Sequence, residues 1–313
     1  MKKVLFVGRS VYHFSYYEFF IRELANRGYF IDLLFDEQWS RGKPDDALKN
    51  CLRDCRDNIS FNWALRRKRL RRVLFPLREL ISYLSYEERI RKRRQSEFYL
   101  KRWQSYLPHI LRYSVDKFPL SYLLRFKIVR RFLKWLDDVV PPDKQIIEDI
   151  KKRNPLVVIA SPANMRFCEE IEYIKAANHL GIPTAILVLS WDNLSTKGLF
   201  HEVPTVLLVW NKLHYREAIE IHQIPEKNLL ISGAFFFDKW FEPEESLLLP
   251  QDEICKEMGI SPDRPYVLYL GSSANIARDE TWLVRKIKKA LSRDPVLQNV
   301  QLVARPHPAN AKV

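Results

Sequence analysis

Three stretches of the 313-residue chain carry residue types that do chemistry, spaced so that they could act together. The first is "LSWDNLSTKG" (189–198), which follows the apolar run "PTAILVL". A carboxylate (Asp192), an amide (Asn193), hydroxyls and an amine (Lys197) come in quick succession, with no turn-forming Gly or Pro before Gly198. A plain connection needs only a few turn formers. Ser190, Trp191, Asp192, Asn193 and Lys197 are therefore candidates for touching a substrate, with Asp192 the candidate for a catalytic role. The same residues also suit an internally hydrogen-bonded loop, with Asp192 capping the next turn and Trp191 packed. The second stretch is "GSSAN" (271–275), between a strand pattern and a helical one. Gly271 permits close backbone approach, and Ser272 and Ser273 stand where a helix N-terminus would face an anion; a plain strand-to-helix turn is the alternative. The third is "RPHP" (305–308), where Arg305 and His307 could each donate to phosphate oxygens, or the two prolines could simply end a strand.

These stretches need elements to hold them. Short apolar runs recur at "KVLFVG" (3–8), "FIDLLF" (30–35), "LVVIA" (156–160), "TAILVL" (184–189), "TVLLVW" (205–210) and "LLIS" (229–232). Near-continuous apolar strands alternating with helices predict a parallel sheet covered on both faces. Between the first two, Tyr17, Phe20, Ile21 and Leu24 fall at helical spacing and Gly28 closes the helix. That is the opening of a doubly wound fold, which binds ligands beyond the carboxyl ends of its strands. "LSWDNLSTKG" lies on that edge, with "GRSVYHFS" (8–15) and "SPANMR" (161–166). After Gly233 a linker-like run leads to a second strand–loop–helix–strand series. The expected organisation is α/β with two Rossmann-like domains. Residues 1–236 form the first, including a helical basic insert at 61–135; residues 237–313 form the start of a second, with about half the length such a domain needs.

Composition narrows the class. Apolar residues make up 47% and aromatics 13%, which excludes a disordered chain. The four cysteines form no disulfide framework at this length, and Cys51 and Cys55 have no second ligand pair nearby to complete a zinc site. Trp210, His214, Glu217 and His222 have helical spacing and read as packing or surface rather than as metal ligands. A reducing cytoplasm is the expected setting. The apolar run "VLFVG" is shorter than the roughly 7–15 residues of a signal peptide, and no run approaches the ~18 apolar residues of a membrane span.

The net charge of +14 is concentrated: residues 61–135 hold 21 Lys/Arg against 5 Asp/Glu, and the remainder 31 against 33. "LRRVLFPLRELISYL" puts Leu70, Val73, Leu74, Leu77, Leu80 or Ile81, and Leu84 on one stripe. "LLRFKIVRRFLKWL" does the same with Leu123, Phe126, Val129, Phe132 or Leu133, and Leu136. Amphipathic helices with basic outer faces follow, interrupted at Pro76, Pro108 and Pro119. An anionic membrane surface is the expected partner, each basic residue near it contributing about 1 kcal/mol. Nucleic acid is the competing partner, because Trp63, Tyr83, Tyr99, Trp103 and Tyr113 lie among the charges. No nucleic-acid motif is present and the aromatics fall partly on apolar stripes, so nucleic acid is set aside.

Four stretches resemble the GT-B-type glycosyltransferase superfamily, and within it a bacterial and archaeal group. They are "SWDNLSTKG", "VWNKLHYREAIEIHQIPEKNLLISGAFFFDKWF" (209–241), "LYLGSSANIARDE" (268–280) and "ARPHP" (304–308). The resemblance implies two doubly wound domains facing across a cleft. It further implies metal-independent transfer of a sugar from a nucleotide-activated donor, as co-substrate rather than cofactor; the basic insert suits an acceptor in the cell envelope or on a lipid. "RPHP" is also similar to an element of CDP-glycerol glycerophosphotransferases that helps hold donor phosphates, which keeps that activity, or sugar-nucleotide processing, as the alternative. A non-catalytic binding module on the same fold is the reading from a different class. By the same resemblance His13, after the first strand, stands where many inverting GT-B enzymes place their base; an ordinary loop histidine is the plain reading. Gly271–Ser273, Arg305 and His307 would hold donor phosphates.

Overall fold

The computed structural model describes residues 2–41, 46–92, 97–241, 249–273, 276–277 and 279–307. The chain divides into two compact units, Met1–Phe241 and Glu242–Val313. The first is built on seven strands: β1 (Lys3–Gly8), β2 (Phe30–Phe35), β3 (Ile59–Trp63), β4 (Val157–Ser161), β5 (Thr184–Leu187), β6 (Val206–Val209) and β7 (Leu229–Ile231). They pair in parallel in the order β3-β2-β1-β4-β5-β6-β7. The chain runs outward from β1 to β3 and then returns to lay β4 beside β1. Its direction of winding reverses there, which is where such sheets leave a crevice at their carboxyl edge.

Each apolar run is buried because helices cover both faces of the sheet. On one face Tyr17, Ile21 and Ala25 of the helix Glu18–Asn26 pack with Leu48, Phe6 and Phe35. On the other, Ile146, Ile150, Tyr173 and Ile174, from the helices Lys144–Arg153 and Glu170–His179, pack with Leu5, Val158 and Ile186. Burying one such side chain is worth about 1.5–3 kcal/mol.

Several sequence expectations change here. Ile59–Trp63, of which 61–63 was assigned to the insert, is the edge strand β3. Ile59, Phe61 and Trp63 alternate with Ser60 and Asn62, the pattern of an edge strand rather than of a continuous apolar run. Pro76 does not interrupt a helix, since Arg71–Arg91 runs through it, whereas Pro108 and Pro119 do open separate helices at His109–Asp116 and Leu120–Leu123. Leu74, Leu80 and Leu84 are buried as expected, with Tyr83, Tyr86, Trp103 and Leu107, but Leu70 and Val73 are exposed. The outer face of Lys127–Val139 is not simply basic: Ile128, Phe132, Trp135 and Val139, at helical spacing, are all exposed. An apolar run this dense supports two stripes, and periodicity alone does not say which one faces the core. Of the aromatics that suggested stacking, Trp63 is in β3, Tyr83 and Trp103 are buried and Tyr113 is exposed. The side chain of Tyr99 lies outside the described residues.

A buried charge network fastens these helices to the sheet. Arg78 pairs with Asp137 (Nε–Oδ1 2.8 Å) and with Glu172, which also binds Arg67. The other oxygen of Asp137 meets His201 Nδ1 at 2.6 Å, and its carbonyl accepts from Lys175. Arg78, Asp137 and Glu172 are all at most 3% exposed. Buried charges survive only when paired in this way.

The segment after Gly233, which reads as a linker, begins as a 3-10 helix, Phe235–Trp240, on the first unit. Phe236 stacks on Tyr16 at 4.3 Å and Phe235 meets Phe20, so the first unit runs to Phe241 rather than 236. In the second unit β8 (Tyr266–Leu270) and β9 (Gln301–Arg305) pair in parallel, with helices Gln251–Met258 and Thr281–Arg293.

Candidate functional site at the carboxyl edge of the sheet

Arg9 and His13 follow β1, at the carboxyl edge beside β4 where the winding reverses. After β1 the chain enters a 3-10 helix, Val11–Tyr16, capped by the Ser10 hydroxyl, which accepts from the Tyr12 N–H. His13 lies on it, and its Nδ1 is buried without a partner. Burial, and then the positive charge of Arg9, push the imidazole below its ordinary value. It is therefore neutral near pH 7, the state in which a histidine can take a proton. Arg9 is 5% exposed. Its guanidinium donates through Nη2 to the Arg166 carbonyl (2.7 Å) and lies 4.0 Å over the Trp39 ring, while Nη1 has no partner.

Two buried carboxyls stand close by. Glu170 accepts from the Cys168 thiol at 2.9 Å and leaves Oε1 unpartnered; burial raises its pKa against the pull of Arg9. Glu79 accepts the Phe167 N–H at 2.8 Å and leaves Oε2 unpartnered. Burial pushes this carboxyl up to about 7, although Phe167 and Arg166 oppose it.

The loop Ser190–Gly198 follows β5 and is tied largely to itself. Asn193 is 1% exposed; its Oδ1 accepts from the backbone N–H of Leu189 (3.0 Å) and Ser190 (2.8 Å), and its Nδ2 donates to Asn164 Oδ1 (2.9 Å). Asp192 accepts from the Ser190 hydroxyl (2.6 Å), the Thr196 hydroxyl (2.8 Å) and Lys197 Nζ (2.8 Å). Burial alone would raise its carboxyl, but Lys197 and the two hydroxyls hold it below the usual range. Asp192 stands at the start of the turn Asn193–Thr196 without a side-chain cap, and Trp191 projects outward, 74% exposed.

Side chains that the sequence reading did not connect with this loop brace it from outside. Tyr86 donates to the Ser195 and Lys197 carbonyls, and Trp103 Nε1 donates to the Thr196 carbonyl at 3.1 Å. His214 and His222, which read as packing or surface, are buried and donate through Nε2 to the Trp191 and Leu194 carbonyls, both at 2.8 Å. Gly198 is closely approached: a Cβ there would lie 3.0 Å from the Asn164 carbonyl and 3.1 Å from the Trp103 ring, so a larger residue would make one of them give way by a few tenths of an ångström.

In the second unit Gly271 follows β8 and donates to the Arg305 carbonyl at 2.8 Å. The Ser272 N–H donates to Glu280 (2.6 Å), which also accepts from the Tyr269 hydroxyl. A carboxylate of the chain itself thus occupies one loop amide that the sequence offered to an external anion. The helix starts only at Thr281, with Asp279 accepting its N–H. Arg305 ends β9 with its side chain exposed, and His307 is half-buried. Asn275 and Pro308 lie outside the described residues. Among the described residues no group of three or more His, Cys, Asp and Glu could hold a metal ion, and no helix is long and apolar enough to cross a membrane.

No family model and no curated protein matches the chain. Solved structures similar to it include a UDP-N-acetylglucosamine 2-epimerase, with TM-score 0.46 and 9% identity, over 96% of this chain and 61% of that one. A glycosyltransferase from Rickettsia africae ESF-5 has TM-score 0.44 and 12% identity over 97% and 68%. MurG from Acinetobacter baumannii has TM-score 0.39 and 10% identity over 98% and 68%. The chain spans 61% of the first epimerase's length and 65% of that of the Rickettsia bellii epimerase. At these scores the likeness is one of general α/β architecture, and the functional reading rests on the chain's own residues.

Proposed function

We propose that the chain is a metal-independent glycosyltransferase that moves a sugar from a nucleotide-activated donor to an acceptor at the inner face of a membrane. The observation that carries this reading is His13: a neutral imidazole, with an unpartnered buried nitrogen, at the carboxyl end of β1 where the winding reverses. An imidazole there can take the proton of an acceptor hydroxyl as it attacks the sugar's anomeric carbon, while the nucleoside diphosphate leaves with the bonding electrons. Asp192, held ionised by Lys197, serves as a fixed acceptor rather than a second base. Trp191 and Lys197 meet the ligand at the rim, while Ser190 and Asn193 position the loop. Arg305, His307 and the Gly271–Ser273 turn bind donor phosphates.

The membrane half of the reading is supported by the outer face of the helices. Ile110, Phe118 and Ile128 are at least 75% exposed and lie with Phe132 and Trp135 among Arg112, Lys117, Arg125, Lys127 and Arg131. Apolar and aromatic side chains mixed with bases fit an anionic lipid surface.

Release of nucleotide from UDP-, GDP- and CDP-sugars, with and without a total lipid extract, tests the proposal. One donor should turn over in a lipid-dependent way, and His13→Asn should abolish release while the matching nucleotide still raises the melting temperature. No turnover with any donor, or release undiminished by His13→Asn, would overturn it.

A further inference from the structure

A second feature of the same edge does not include His13 in its lining. A pocket of about 390 Å³ opens within the first unit, walled by segments that follow three different strands. Trp39 comes after β2, Arg66 after β3, and Arg166 and Phe167 after β4; the start of helix Arg71–Arg91 closes it with Arg71, Arg72 and Phe75. Four guanidiniums thus face one cavity whose size is typical of a small-ligand site.

The charges are not balanced. Arg66 Nε reaches Asp36 at 2.9 Å and Arg71 Nε reaches Glu169 at 2.7 Å. Both carboxylates already hold backbone: Asp36 accepts the N–H of Gln38 and Trp39, and Glu169 that of Arg67. Among the described residues neither Arg72 nor Arg166 forms a close ion pair with a carboxylate, although Glu79 feels the charge of Arg166. The Arg166 guanidinium lies over both the Tyr106 and the Phe167 rings, 4.5 and 4.6 Å from their centroids, and its buried Nε has no partner. The rings fix the guanidinium plane, so its donors are preorganised, as bidentate recognition of an oxyanion requires.

The helix itself is built against its own dipole. Its first turn contains no acid and carries Arg71 and Arg72, no side chain caps it, and Leu70 before it has φ 59°. Cations at the positive end of a 21-residue helix oppose the macrodipole. Glu169 compensates Arg71 but no carboxylate pairs with Arg72, and a local rule left only partly compensated inside the protein points to a ligand that completes it. An anion seated there would satisfy the helix end, Arg72 and Arg166 together.

We infer that this pocket binds a phosphate or diphosphate group. Several guanidiniums around one cavity match an oxyanion of more than one charge better than a lone carboxylate. Trp39, Phe75 and Phe167 give the walls an apolar surface for whatever bears the phosphate. If the transferase reading holds, that group belongs to the acceptor; the binding itself does not depend on transfer and is read separately from it.

Thermal shift and calorimetry with inorganic pyrophosphate provide the test, on the full chain, Arg72→Glu, Arg166→Met and Arg305→Ala/His307→Ala. Pyrophosphate should stabilise the unaltered chain, and the Arg305/His307 variant, which removes the proposed donor-phosphate contacts, should keep the part of that stabilisation that depends on Arg72. Arg72→Glu, an exposed change that by the same dipole argument does not lower the unliganded melting point, should weaken binding roughly tenfold or more. Arg166→Met should do the same if it folds, and the inference stands or falls on Arg72→Glu if it does not. Farnesyl diphosphate and glucose 1-phosphate then separate a lipid-borne from a soluble source by which of them binds tighter through Arg72. No stabilisation of the unaltered chain, or a shift lost in the Arg305/His307 variant and kept in Arg72→Glu, overturns the inference.

Discussion

The loop Ser190–Gly198 and the arginine-lined pocket share one edge of one sheet and use their polar groups in opposite ways. In the loop Asn193 and Asp192 bind their own neighbours, and Tyr86, Trp103, His214 and His222 take up its carbonyls. In the pocket Arg166 keeps a buried donor without a partner, and a helix begins with arginines where its dipole favours acids. A polar cluster that satisfies itself contributes stability and shape; one that leaves groups unsatisfied has capacity left for a ligand. The comparison therefore predicts that changes in satisfied regions act on folding and changes around the pocket act on binding.

The largest expected effect tests the satisfied side at its most buried point. Arg78→Ala removes the partner that Asp137 and Glu172 share, leaving Asp137 to His201 and Glu172 to Arg67 in a buried network short of one positive charge, and should cost about 3–5 kcal/mol in urea unfolding. A loss below about 1 kcal/mol would mean that the network does not fasten the helices to the sheet.

Glu79 stands between the two regimes, with one oxygen satisfied and one not. Its carboxyl is pushed up to about 7 from 4.5, so between those values the folded chain keeps a proton that the unfolded chain releases. Stability therefore falls as pH rises through that window, by on the order of 3 kcal/mol in all. Unfolding at pH 5 and pH 7.5 should show this decline in the unaltered chain and a flatter response in Glu79→Gln. Equal slopes would show that Glu79 ionises freely in the folded state.

Much of the architecture was legible in the sequence. Buried parallel strands appear as continuous apolar runs, and their carboxyl ends placed Ser190–Gly198 and His13 on the correct edge. The edge strand β3 was not seen, because one of its faces is less buried and its residues alternate. The second apolar stripe of Lys127–Val139 escaped for the opposite reason: too many positions fit a helical period. The pocket was illegible because Trp39, Arg66, Arg72 and Arg166 are far apart in the chain and individually ordinary. Only the strand order brings them together. "LRRVLFPLREL" did hold one readable sign, two arginines at a helix start without an acid.

The smallest effect sharpens the comparison most, because it falls on the motif that first suggested chemistry. Asn193→Ala removes the acceptor of two backbone N–H groups and the donor to Asn164. Leaving buried partners unmade costs about 1–3 kcal/mol, so the variant should fold with a lowered melting temperature. If Asn193 only shapes the loop, stabilisation by pyrophosphate should persist unchanged, and sugar transfer measured well below the new melting temperature should lose kcat and KM little. A variant of near-native stability with transfer abolished would instead put Asn193 in contact with substrate. The self-satisfied loop would then have to open when it binds, and the division between a bracing loop and a binding pocket would no longer hold.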